Sequence, residues 1–367
     1  MIYLDHGATS MGKPPQVAKA MADALIRCGN PGRGGHGAAM RGARTVFRCR
    51  SLASRMFHCP EDQIIFTGSC THGLNIALRS LVKPGSRVVI SGFEHNAVTR
   101  TLQALGARIM VAGRKLFDRA DTLCSFENAL RSGADAAVFT HVSNVFGYIL
   151  PIEEMSRLCR HYGVPFVIDG AQSAGILPLN MEALGASFIA MPGHMGLLGP
   201  QGTGLLLCGQ RPEPLLYGGT GTDSRSQEMP PQLPEGLEAG TLNVPGIAGL
   251  GAALEWLQAR NGGDIARREA AAAKHCAEGL RNMGIRVFSG PDQSGTVSFV
   301  TKQDCEDVAS RLADRGIAVR AGLHCAPLAH ESAGTLESGT VRVSFGHDAS
   351  DAQVRHLLTA LKVMEVM

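Results

Sequence analysis

No run of about 18 consecutive apolar residues occurs in this 367-residue sequence, so no membrane-spanning helix is expected. The opening MIYLDHGATS has neither a basic n-region nor an apolar h-region, and a secretion signal is not expected either. Charge of one sign is not in excess: 35 basic side chains stand against 32 acidic ones. That balance gives no electrostatic basis for a nucleic-acid or membrane-surface partner. The ten cysteines include no C-x-x-C pair, which excludes a zinc ribbon and a dithiol redox motif; no metal site is expected. Most of them read as small buried hydrophobes in a reducing, cytoplasmic setting. There is no G-x-x-x-x-G-K-[ST], so no P-loop. Aromatics are few, with one Trp and four Tyr, while glycine is abundant at 45. Such usage suits an α/β enzyme with many tight strand-to-helix turns.

What is present alternates. Apolar runs at Ile64–Thr67, Arg87–Ser91, Arg108–Val111, Ala136–His141, Phe166–Asp169, Phe188–Met191 and Gly204–Cys208 predict seven strands. Helical patterns such as Val17–Cys28, Thr71–Leu81 and Ile152–Tyr162 surround them. This rhythm predicts a mostly parallel seven-stranded sheet between helices. Residues 210–245, rich in Gly, Pro, Ser and Thr, read as a long excursion over the surface or at an interface. Beyond Pro245 come helices near 246–259 and 265–283. Strands near 285–289, 296–301, 318–321 and 340–345 follow, with helices near 304–315 and from 351. That order predicts a smaller α+β domain. The expected division is a large domain over 16–245 and a small one formed by 1–15 and 246–367.

Gly32-x-Gly34-x-x-Gly37 matches the dinucleotide fingerprint in letters only, because it follows a helical pattern and not a strand. Thr67-Gly68-Ser69-Cys70-Thr71 joins a strand to a helix. Its backbone N–H groups suit a phosphate, although plain N-capping by Ser69 or Thr71 explains the same residues. Asp169 ends a buried strand, where ligands bind in open α/β sheets. A carboxylate there needs a cationic partner, and a protonated pyridine nitrogen is one; a helix N-cap is the alternative. Cys325 lies in the Gly- and Pro-punctuated Ala321–Pro327, with Arg320 and His324 near in sequence. Nearby cations favour a reactive thiolate.

Taken in order, the motifs resemble those of the cysteine desulfurase and selenocysteine lyase family, in the class V aminotransferase group of fold type I pyridoxal-phosphate (PLP) enzymes. They are Tyr3–Ser10, Asn30–His36, Glu94-His95-Asn96, His141–Gly147 and Ile168–Gly175. Pro192-Gly-His194, Gly199–Gly204, Glu238–Asn243, Gly322–Pro327 and Gly339–Ser344 complete the series. The resemblance implies that Gly68, Ser69, Cys70, Thr71 and His194 hold the cofactor phosphate. Thr241 would reach the phosphate bound by the other subunit of a homodimer. His95 would stack on the pyridine ring, Asp169 would pair with its nitrogen, and Gln172 would bond the ring oxygen. Asn144 would lie beside ring and substrate. Arg342 would clamp the carboxylate of a cysteine or selenocysteine substrate, as its planar fork allows. Cys325 would accept the sulfur, with alanine as the other product and a sulfur-acceptor protein as a partner.

One departure is large. Where the family carries its cofactor-linking lysine, this chain has Met195, whose thioether cannot condense with an aldehyde. The seven lysines, at 13, 19, 83, 115, 274, 302 and 362, fall in no motif that would replace it. PLP is therefore expected to bind non-covalently and turnover to be impaired. Either a deliberate replacement or a diverged paralogue accounts for Met195, and His6 and His72 are further departures. A non-catalytic PLP-binding role, transamination and β-elimination are the alternatives to C–S or C–Se lysis.

Overall fold

The computed structural model describes residues 1–32, 34–260 and 262–365. Arg33, within the Asn30–His36 motif, lies outside the described residues, as do Asn261, Val366 and Met367. The chain opens with β1 (Ile2–Tyr3), α1 (Pro15–Arg27), α2 (Gly37–Phe57), β2 (Ile64–Thr67) and α3 (Cys70–Leu81). It continues with β3 (Arg87–Ser91), α4 (Asn96–Ala104), β4 (Arg108–Ala112), α5 (Arg119–Arg131) and β5 (Ala136–Thr140). Then come α6 (Ile152–Tyr162), β6 (Phe166–Asp169), α7 (Met181–Leu184), β7 (Phe188–Pro192) and β8 (Gly204–Cys208). All seven strands expected of the large sheet are present, each within a residue of its expected ends. The glycine-rich 32–37 segment joins α1 to α2, so no strand precedes it and the dinucleotide reading falls away.

The sheet order is β2-β8-β7-β6-β5-β3-β4. Only β8 runs against its neighbours. Strands β2, β5, β6, β7 and β8 are buried at every residue, which is what helices on both faces produce. Register fixes the site. Thr140 pairs with Asp169 and Asp169 with Ala190. Gly204 pairs with both Pro192 and Thr67, so the C-terminal ends of β2 and β7 lie on either side of the start of β8. Gly204 has to be glycine: a Cβ there would stand 2.7 Å from Thr67 Oγ1 and 2.9 Å from the Ser69 carbonyl carbon. The phosphate-binding candidates after β2 and His194 after β7 are thereby neighbours.

The second unit follows α8 (Val244–Gln258) and α9 (Gly262–Asn282). It comprises β9 (Arg286–Phe288), β10 (Thr296–Val300), α10 (Cys305–Ala313), β11 (Ile317–Ala318), β12 (Arg320–Gly322), α11 (Pro327–Ala333), β13 (Thr340–Ser344) and α12 (Asp351–Val363). The antiparallel order is β12-β13-β10-β9, and β1 pairs in parallel with β11. A core of its own, with Leu4, Leu280, Val297, Phe299, Val341 and Leu357, holds this unit together. The single strand expected over 318–321 is two, because the chain changes partner at Val319, from β1 to β13. Helix α8 buries Val244, Ile247, Leu250, Leu254 and Leu257 in the core of the large sheet. That packing carries the first unit beyond the expected limit at 245.

One buried ion pair anchors the irregular 210–245 segment. Arg50 of α2 donates to both oxygens of Glu238, at 2.9 and 3.1 Å, and to the Ile64 carbonyl. Glu238 in turn accepts the Phe66 N–H at 2.8 Å, on the side of β2 that no strand covers. Both side chains are less than a tenth exposed. Truncating one member of such a pair strands the other charge. Glu238→Ala should therefore lower unfolding stability by about 3–5 kcal/mol. Guanidinium denaturation checks this, and a loss below about 1 kcal/mol would show that the pair does not anchor the segment.

Candidate active site

The functional candidates sit where the strands end. Asp169, the last residue of β6, is 3% exposed. Its Oδ1 accepts the Ala171 N–H at 2.9 Å and the Cys70 thiol at 3.3 Å. It caps a turn and no helix follows, so the N-cap alternative fails. Burial pushes its carboxyl above the ordinary range; the Ala171 N–H, His95 and Cys70 pull the other way. His95 faces it as the N-cap of α4, its Nδ1 accepting the Ala97 N–H at 3.0 Å. Ser69 caps α3 by accepting from His72 N, and Gly68 and Thr71 on either side are exposed. Capping and an open helix N-terminus therefore coexist at this loop.

The N-terminal segment closes one side. His194 Nδ1 lies 3.1 Å from Thr9 Oγ1. Ser10 Oγ donates to the Met195 carbonyl at 2.7 Å, and Lys13 Nζ to the His194 carbonyl at 3.2 Å. Gln172 Nε2 donates to the Gly7 carbonyl at 2.9 Å and to the Met195 sulfur at 3.4 Å. Arg342, 1% exposed, donates to Asp5 Oδ1 at 2.7 Å and to the Asn144 carbonyl at 3.0 Å, while its Nε has no partner.

Cys325 is exposed at the mouth of this region. His324 and Cys325 both have left-handed backbone, at φ 49° and 57°. Non-glycine residues adopt it at a cost, and the surroundings must impose it. Here the Asn96 N–H reaches the Cys325 carbonyl at 2.8 Å and Asn144 Nδ2 the His324 carbonyl at 2.7 Å. The first of these ties the cysteine loop to the residue after His95. His324 does not serve Cys325 as a cation. It is buried, its Nε2 bonded to Thr340, and burial with Arg342 nearby keeps the ring neutral. Arg320 is the remaining cation close in sequence.

Seven of the other cysteines are buried, and burial drives the thiols of Cys49, Cys159 and Cys276 up to about 12. Thr241 is exposed in a separate groove that Arg50, Glu61 and Glu238 also line. No hydrogen bond among the described residues joins it to His194 or to 68–71. The sequence reading missed the Asp5–Arg342 pair, the thiol on Asp169 and the Lys13 contact. Only Cys70 had a local signal, its place between Ser69 and Thr71.

A strand-end carboxylate facing a capping histidine, an arginine held beside an asparagine, and a cysteine presented on a strained loop occur here in one order along one chain. The aminotransferase class V family profile spans residues 2–357. The chain belongs to the aminotransferase class V family. It is 30% identical to a probable cysteine desulfurase of Methanothermobacter thermautotrophicus, over 97% of this chain and 92% of that protein. It is 32% identical to a cysteine desulfurase of Escherichia coli O127:H6, over 89% and 84%. An apo cysteine desulfurase structure from Thermococcus onnurineus superimposes with a TM-score of 0.91 at 30% identity, covering 99% of this chain and 94% of that one.

Behind the class V site lies a second carboxyl. Glu94 is fully buried and accepts the Thr140 N–H at 2.9 Å and the Ser91 hydroxyl. Burial raises it to about 8. A carboxyl that keeps its proton in the fold and loses it on unfolding makes stability fall as pH rises from the ordinary carboxylate range to about 8. Glu94→Gln, which mimics the protonated form, should gain stability relative to the parent between about pH 5 and 8. Parallel pH–stability curves for the two proteins would contradict this.

Proposed function

We propose that this chain binds PLP at the ends of β2, β6 and β7 and is a C–S or C–Se lyase of the cysteine desulfurase type, impaired by Met195. The reading is carried by Cys325, an exposed thiol held in strained backbone by contacts from the His95 helix and from Asn144. The residues fit the cofactor. Asp169 is a buried carboxylate suited to a protonated ring nitrogen, and the helix start at Gly68–Thr71, exposed at Gly68 and Thr71, suits a phosphate together with His194. When bound, the cofactor supplies an electron sink for bond breaking next to the substrate α-carbon.

The protein's own residues do the rest. Arg342 has two nitrogens engaged by Asp5 and Asn144, which leaves its Nε edge for a substrate carboxylate. Cys325 takes the substrate sulfur, forming a persulfide as the carbon–sulfur bond breaks and alanine departs. His95 would pack against the ring, and Gln172 would orient it once released from the Met195 sulfur. Met195 can neither link the cofactor nor move a proton. That single side chain, in a pocket otherwise complete, favours as second reading a family member that binds PLP without turnover.

The test is Met195→Lys. It should place a borohydride-fixed pyridoxyl group on residue 195 and raise sulfide release from cysteine by about a hundred- to ten-thousand-fold. Adding Cys325→Ala should abolish sulfide release and spare the adduct. An adduct without cleavage of cysteine or selenocysteine removes the desulfurase reading, and no adduct favours the non-catalytic one.

A homodimer is part of the proposal, with Thr241 reaching the cofactor phosphate of the other subunit. Phe47, Leu216 and Tyr217 are 60%, 55% and 77% exposed in the single chain, which supports burial against a second copy. Sedimentation at micromolar concentration should give a dimer, and a monomer that retains PLP would count against it. The dimer, with a protein sulfur acceptor and a cytoplasmic location, completes the proposal.

A further inference from the structure

Glu269 of α9 is 7% exposed, no hydrogen bond or ion pair reaches it among the described residues, and burial with Asp348 nearby raises its carboxyl to about 8. It borders a cavity of about 40 Å³ that Met195, Gln172, Ser10, His6 and His347 also line. That space holds about three water-sized groups, at ~10–15 Å³ each. The lining is rich in acceptors. His6 Nδ1 and His347 Nδ1 are buried without partners, and burial keeps both rings neutral, so each can offer a lone pair. Ser10 spends its proton on the Met195 carbonyl and Gln172 its amide on Gly7 and Met195. Charges of both signs act on the two rings: Asp348 stands 3.6 Å from His6 Nε2, while the Lys13 and Arg260 cations act on His347. Once ionised, a carboxyl buried in this way needs a donor or a cation against it.

We propose that this cavity binds a small primary ammonium ion, with the Glu269 carboxylate as counter-charge. A metal ion is the poorer fit, as no group of three His, Cys, Asp or Glu side chains among the described residues is arranged to ligate one. An ammonium group supplies N–H donors for the two partnerless imidazole nitrogens and a charge against the Glu269 carboxylate, and methylammonium has two heavy atoms for the space available. The site stands on this geometry alone and does not depend on the desulfurase reading.

The experiment is a titration of the full chain with methylammonium chloride near pH 9, where the carboxyl is ionised and the amine still charged. Tetramethylammonium at equal concentration controls for charge without N–H donors. The melting temperature should rise saturably with methylammonium only. Glu269→Gln, close in shape, should weaken the apparent affinity at least tenfold. In the unmodified protein, ¹⁵N-ammonium should give an exchange-slowed signal that methylammonium displaces, a readout that needs no variant to fold. Equal response to both cations, no saturable response, or unchanged affinity in Glu269→Gln would overturn the proposal and leave water as the occupant.

Discussion

Asp169 closes β6 with 3% of its surface exposed, and a carboxylate in that position persists as an anion only if donors or cations face it. The rest of the site is arranged around that requirement. The sheet register aligns Thr140 and Ala190 on either side. Helix α3 begins beside it with a thiol that donates, and α4 begins with a histidine that faces it. Even so, burial outweighs these groups and the carboxyl is raised. A carboxyl left in that condition gains more from a cationic N–H donor than a solvated one would, and the proposed ring nitrogen would be such a donor.

The two units meet through the N-terminal segment. Asp5 bonds Arg342, Gly7 receives Gln172, Thr9 and Lys13 reach His194, and Ser10 reaches Met195. Nine residues thus connect β13 of one sheet with the turn after β7 of the other. Gly7 makes the approach possible: a Cβ there would stand 3.2 Å from both Arg342 Cζ and Ser344 Oγ. Arg342 is consequently oriented before any substrate arrives, and its ordering cost is met during folding rather than on binding.

The large sheet was legible because its strands are short apolar runs bounded by Gly and Pro and buried on both faces, a pattern that helices of this length do not show. Asp169 was singled out at the end of a buried strand and Ser69 at a strand-to-helix turn, whereas His95 entered only through the family resemblance. Local patterns fail where partners are distant. The break at Val319 depends on pairing with Ile2 and Tyr3, and α8 joins the large core through contacts with α1 and α2. His324 read as a cation beside Cys325 because sequence distance says nothing of burial, and burial made it neutral. Glu269 and Lys13 carried no motif at all. Their surroundings come from segments up to about 260 residues away, which only the fold assembles.

Met195 fits its turn without needing an amine. Methionine is close to lysine in length, flexible, and able to settle into an irregular gap. Its sulfur accepts from Gln172 and its carbonyl from Ser10. Packing around the turn is thus satisfied without an amine. A lysine in this position would have to be desolvated, whereas a thioether carries no such penalty. Stability therefore does not defend the amine, and only chemistry would. The surrounding pocket is a different matter. Burial is costly for Asp169, and Arg342, although bonded to Asp5 and Asn144, keeps its Nε without a partner. Buried polar groups left short of partners are what the proposed cofactor and substrate site would contain. On the proposed reading, packing tolerates the methionine while the polar groups around it remain arranged as a ligand would need them.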